Sequence, residues 1–302
     1  MSLRSVLSGS CPLPGPSAGE RRGDGPPPAP PPGSAGPAEA LTQAGVDAAL
    51  ARLAVEPAAL WAVMRVEAKA CGFLPDRRPV VLFERHVFHR RTAGRFAEAH
   101  PHVSSPKPGG YGAPGANQHR RLALAQALDR VAALESASWG LGQVMGFNAR
   151  IAGYSDVDGF VGAMRAGEDA QLAAMAAFIA ETGLDRALRL RDWTGFARVY
   201  NGPGFARNAY DVKLAAAFAD YAGGARPPPD LRLRAAQMRL MFLGFDPGPV
   251  DGLWGRRTRA ALARFRAESG MRSDDADGRL TPSDESALAE AVARLAPAEP
   301  LA

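Results

Sequence analysis

The chain has 302 residues, 46 % hydrophobic and 22 % charged, with a formal net charge of +5. That balance suits more than one globular domain, and no apolar run approaches the roughly eighteen residues of a helical membrane span, so no membrane-crossing helix is expected. The positive charge favours an anionic partner, yet basic residues are interspersed with acids and no basic run alternates with aromatics, so nucleic acid is not expected.

Residues 1–39 are dominated by Pro, Gly and Ser, including GPPPAPPPGSAG, and bury too little apolar surface to offset ordering entropy; a disordered tail is expected. Its start, MSLRSVLSGSC, lacks the continuous apolar stretch of an export signal. Cys11 and Cys71, the only cysteines, are too few for a disulfide scaffold and are read as free thiols. Residues 40–222 form the main domain. Helical periodicity predicts helices over about 43–54, 57–71, 118–134, 168–181, 192–199 and 208–221, with a Gly/Pro-rich interruption around 101–117 and a β-like VVLF patch inside 78–88. GGARPPPD (223–230) is a linker. Beyond it, 231–243, 255–269 and 281–294 read as three short helices of a small domain spanning 231–296. Thr281 before Pro282, with Asp284 and Glu285 in the first turn, marks the start of the last one. The fold class is mainly α, with little strand.

In AALWAVMRVEAKACGF, Leu60, Val63 and Met64 follow helical spacing, and the next position of that stripe is Glu67. A carboxyl group withdrawn from water resists ionisation and can donate a proton to a leaving oxygen. Periodicity alone leaves open a surface ion pair with Arg65 or Lys69. SASWGLGQVMG (136–146) sets glycines around Ser138, Trp139 and Gln143, a composition suited to close backbone approach to a ligand, with an aromatic and an amide able to hold a sugar. Tyr200 and Asn201 precede a Gly-Pro-Gly turn that would present them at a helix end. Glu84, in LFERH, is a second buried-carboxylate candidate; a salt bridge to Arg85 or a bond to nearby histidines is the alternative. His86 and His89 lack an accompanying metal-binding motif, so no metal site is read.

VEAKACGF, RPVVLFERHVFHRRT, PGGYG, SWGLGQVMG and YNGPG, in that order, resemble the N-acetylmuramidase family of phage endolysins and related bacterial proteins, over about residues 42–222. The family is similar in plan to goose-type lysozymes and lytic transglycosylases. The resemblance implies a lysozyme-like helical catalytic domain that cleaves peptidoglycan without a cofactor. It also implies Glu67 as general acid, a glutamate at the Glu84 position, and functional roles for Gln143, Tyr200 and Asn201, beside which Ser138 and Trp139 stand as substrate-contact candidates on composition. The chain departs from the family at Ala68 and Lys69, where relatives commonly carry Ser and Gly. LGFDPGPVDGLWGRRTRAALARFRAESG (243–270) is similar to the three-helix peptidoglycan-binding domain of wall hydrolases. Together they imply a β-1,4 muramidase acting at the bacterial wall; a monomer is expected, and the N-terminal sequence, without a clear signal peptide, suggests synthesis in the cytoplasm. The alternatives are a lytic transglycosylase leaving 1,6-anhydro ends and a non-catalytic wall-binding protein.

Overall fold

The computed structural model describes residues 37–67, 71–202, 204–271 and 278–295. The tail up to residue 36, Cys11, Lys69 and Pro203 lie outside them. The described residues are mainly helical, and no helix among them is long and apolar enough to cross a membrane.

Helix α1 (Gln43–Leu53) starts at Thr42, whose hydroxyl accepts from the Gly45 amide. It packs along α7 (Glu168–Glu181), whose buried set runs from Gln171 through Leu172, Met175 and Phe178 to Ile179. Helix α2 (Pro57–Glu67) opens with proline at its first position, where no intrahelical N–H is needed. Residues 59–64 of α2 are all buried, as expected of a helix enclosed on most sides, and α10 (Tyr210–Ala222) covers it through Ala217 and Phe218. α2 is described as far as Glu67; of the extension to 71 expected from sequence, 68–70 lie outside the described residues and Cys71 is not helical.

The VVLF patch supplies β1 (Val81–Phe83), the edge of an antiparallel sheet ordered β1-β2-β3 with β2 (Ala137–Trp139) and β3 (Val144–Met145). Val81 pairs with Trp139, and Trp139 with Val144. Helix α3 (Arg85–Arg91) follows β1 directly. The single helix expected over 118–134 is two, α4 (Ala116–Leu128) and α5 (Arg130–Glu135). Asp129 turns extended between them, and its carboxylate accepts from Ala132 N, so a capping residue inside an otherwise helical run makes the break. Helices α6 (Val157–Ala166) and α8 (Leu184–Arg189) were not anticipated; two glycines dilute the first pattern and six residues are too few to show a period in the second. Helix α9 (Trp193–Tyr200) completes this part.

Helices α11 (Leu231–Phe242), α12 (Arg256–Glu268) and α13 (Pro282–Ala293) enclose a second small core of Ala236, Leu240, Ala261, Leu262, Phe265 and Leu288. Thr281 and Asp284 form the reciprocal capping box of α13. Asp284 also receives the buried Arg266 guanidinium.

The C-terminal bundle is packed against the larger part. Phe73, just beyond α2, meets Phe242 of α11 edge-on at 6.4 Å, within a cluster containing Ala38, Met238 and Val250. Beside it, Arg234 of α11 pairs with Glu168 at the start of α7, both out of contact with solvent.

Candidate active site

Glu67, the last described residue of α2, is buried, at 5 % exposed. The Asn201 amide donates to both of its oxygens, at 3.0 and 3.1 Å. Arg65 points elsewhere, to Asp220 at 2.6 Å, so the surface-pair alternative with that arginine does not form. Asn201 sits just past the end of α9, held by its backbone N–H to Ala197 O. The preceding Tyr200 stacks on Phe196 at 5.1 Å and donates its hydroxyl to Gly142 O at 2.7 Å. Burial, then the nearby Glu67 charge, pushes the Tyr200 phenol up, so it stays protonated and serves as a donor. The tyrosine and asparagine thereby brace two sides of the site: the hairpin through Gly142 and the acid through Glu67.

The hairpin between β2 and β3 is shaped by its glycines, but towards protein. A Cβ at Gly140 would meet the Gln171 side chain at 2.5 Å, one at Gly142 would meet Met175 at 2.6 Å, and one at Gly146 would meet Leu134 O at 2.2 Å. The close approach expected from the sequence is present, and its object is α7 and α5. Gln143 adopts the left-handed region at φ +47°. Its amide donates to Gly140 O at 2.8 Å and accepts from the Ser138 hydroxyl at 2.9 Å, closing the turn.

Trp139 requires a correction. The sequence suggested a sugar-stacking ring, but it is 2 % exposed and its indole N–H donates to Leu134 O at 3.2 Å. It is a core residue because the β2 register turns it inward over α5.

Glu84 stands between β1 and α3, its backbone N–H donating to Ser136 O and its carbonyl accepting from Val87 and Phe88 N. The carboxylate is 1 % exposed, with His86 Nδ1 at 3.0 Å from Oε2. Burial pushes the Glu84 pKa above its ordinary 4.5, against the opposing pull of His86 and Arg121. Arg121 also donates to Tyr111 O and His102 O, and Gln118 to Tyr111 O, so the PGGYG loop is tied down beside this group. A Cβ at Gly110 of that loop would strike the Arg85 guanidinium at 2.6 Å.

Sequence reading missed Glu168 and Gln171, which hold the site from behind. Glu168 Oε1 accepts from Gly72 N at 2.9 Å, and Gln171 Oε1 accepts from Leu141 N at 2.8 Å. An acid in the first turn of a helix normally reads as a solvated group favoured by the helix dipole, so the pattern gave no signal of burial.

The N-acetylmuramidase family model matches residues 56–222, and the peptidoglycan-binding-domain model matches residues 230–283. The crystal structure of Burkholderia AP3 phage endolysin superimposes with a TM-score of 0.58 at 44 % identity, covering 62 % of this chain and 73 % of that one. No curated protein sequence matches. With over half its length matched, the chain belongs to the N-acetylmuramidase family: it is a lysozyme-like glycoside hydrolase of peptidoglycan, with a peptidoglycan-binding domain behind its catalytic part.

Proposed function

We propose that the chain is an endolysin-type muramidase that cleaves the β-1,4 bond between N-acetylmuramic acid and N-acetylglucosamine, with Glu67 as general acid. The observation that carries this reading is Glu67 itself, shut away from solvent on α2 with the Asn201 amide on both oxygens. Proton donation to the glycosidic oxygen lets the sugar leave as an alcohol, and Asn201 holds the carboxyl group in one orientation for that transfer. Gln143, Tyr200 and Asn201, all partly accessible, offer the polar edges of a glycan subsite. Ser138 contributes through Gln143, to which its hydroxyl is bonded. The phage-lysis role rests on the likeness to the phage endolysin.

In this scheme Glu84 is the second carboxylate, and in its ionised form it takes the proton from the attacking water once the cleft admits it. Its 1 % exposure favours one other reading, in which no water is activated and the muramyl 6-hydroxyl attacks internally, leaving an anhydro end. Mass spectrometry of fragments released from purified peptidoglycan by the wild type and by Glu67→Gln separates them. Reducing muramic-acid ends from the wild type alone are expected. Anhydro ends would convert the assignment to a transglycosylase, and unchanged release by Glu67→Gln would remove Glu67 from the acid role.

A further inference from the structure

We propose that Arg234, in the C-terminal bundle, is a positioning residue for the glycosidase reaction, acting through Glu168 on the Cys71–Gly72 backbone and, with Gln171, on the hairpin that carries Gln143. The inference rests on Glu67 being the acid.

The path is short. α2 is described as far as Glu67, and the next described segment, Cys71-Gly72-Phe73, is pinned from both sides. Gly72 N donates to Glu168 Oε1 at 2.9 Å, and Leu41 N donates to Oε2 at 3.1 Å. Arg234 reaches the same two oxygens, Nη2 to Oε1 at 2.7 Å and Nη1 to Oε2. Each carboxylate oxygen is thus shared between a backbone amide of the catalytic part and the guanidinium of the binding module. Phe242, also on α11, closes on Phe73 from the module side.

A Cβ at Gly72 would lie 1.8 Å from Gln171 Oε1, so any larger residue there would have to displace the Gln171 amide. Gln171, one turn along from Glu168, also holds Leu141 in the hairpin that carries Gln143. The first turn of α7 therefore anchors both the exit from the acid helix and the opposite hairpin, and Arg234 is the cation that keeps this turn charged and fixed.

The groups facing Glu168 are Cys71 on the exit segment and Arg234 on α11, with Asp251 beyond the arginine. Burial pushes the Cys71 thiol up, so it stays neutral and supplies no countercharge. Without the guanidinium, an ionised Glu168 would sit in the seam facing no cation, and it would either take up a proton or draw in water. Either event loosens its hold on Gly72. An ion pair that only joined two domains would have no reason to share its acceptor with the chain five residues past the acid.

The test uses the full chain and peptide-free soluble glycan strands, a substrate that gains nothing from concentration on an insoluble wall. Steady-state kcat and KM are measured against pH for the wild type, Arg234→Met, Arg234→Lys, the double variant Glu168→Gln/Arg234→Met, and Glu67→Gln as reference. Arg234→Met should lose about tenfold or more in kcat with KM little changed, as expected when a catalytic group is displaced by a fraction of an ångström. The deficit should widen as pH rises and Glu168 ionises. Arg234→Lys should recover part of the loss, and the double variant, which removes both charges, should recover more with a deficit flat in pH. Unchanged kcat in Arg234→Met, or a double variant no better than the single one at every pH, would overturn the proposal. If Arg234→Met does not fold, the double variant against Arg234→Lys decides on the same pH criterion. Full activity in Glu67→Gln would sink the acid assignment and this proposal with it, whereas an inactive Glu67→Gln beside an unchanged Arg234→Met would sink the proposal alone.

Discussion

Glu84 and Glu168 occupy the same kind of place, each at the start of a helix and each sealed from solvent, yet they are held in opposite ways. Around Glu84 the balancing groups are one histidine at 3.0 Å and a more distant arginine, and burial prevails, so its pKa is raised. Around Glu168 a two-pronged guanidinium and two backbone amides outweigh burial, so its pKa is lowered. Burial alone does not decide the charge of a carboxyl group. The number of donors aimed at it does, and the structure spends its strongest cation on the seam. Glu168 is thereby biased towards its anion, whereas Glu84 is biased towards its neutral form.

Glu67 gives the sharpest way to separate the two regions, because its Asn201 partner is a neutral amide. Glu67→Gln keeps the shape and removes the acid. Release of fragments from peptidoglycan should fall by roughly 10²–10⁴-fold while the thermal midpoint stays nearly unchanged, the signature of a group used for proton transfer. A fall in both would move Glu67 into the supporting class with Glu168. Arg234→Leu should show the reverse emphasis in chemical denaturation, a loss of about 3–5 kcal/mol at neutral pH from leaving a buried carboxylate without its cation. A loss below about 1 kcal/mol would mean that water reaches the seam and that the two carboxylates are less different than their burial indicates.

The sequence made some of this legible and hid the rest for identifiable reasons. The stripe Leu60, Val63, Met64, Glu67 was readable because a helix repeats within a few residues, and those four side chains are buried as the spacing requires. The glycines at 140, 142 and 146 announced close approach, but a missing side chain does not say what comes near, and here it is Gln171, Met175 and Leu134. Trp139 was misread because a two-residue period in a strand of three residues is too short to fix which face is buried. The seam was invisible: Glu168 and Arg234 are 66 positions apart and no local pattern connects them. Trp139→Phe tests the corrected role. It should cost about 1–3 kcal/mol of stability through lost volume and the indole bond to Leu134 O, with KM for glycan unchanged. A KM effect without a stability effect would return the ring to the substrate.

The smallest expected effect carries the contrast between Glu84 and Glu168 most directly, because it has opposite signs at the two sites. Stability rises with pH wherever the unfolded chain holds more protons than the folded one. Glu84, raised in the folded protein above its ordinary 4.5, keeps a proton that the unfolded chain has already lost, so its contribution falls as pH climbs from 4.5 to the raised value. Glu168, lowered in the folded protein, is ionised where the unfolded chain is still protonated, so its contribution is full above 4.5 and is lost as pH falls through the lowered value. One proton per group limits the slope to about 1.4 kcal/mol per pH unit, within reach of urea midpoints taken from about pH 3 to about pH 8. Glu84→Gln should flatten the curve on the alkaline side of 4.5, and Glu168→Gln should flatten it on the acid side while lowering stability throughout, since the amide leaves Arg234 without its anion. If both variants flatten the same side, the two carboxylates share one electrostatic environment, and the division between a neutral bias beside β1 and an anionic bias in the seam does not hold.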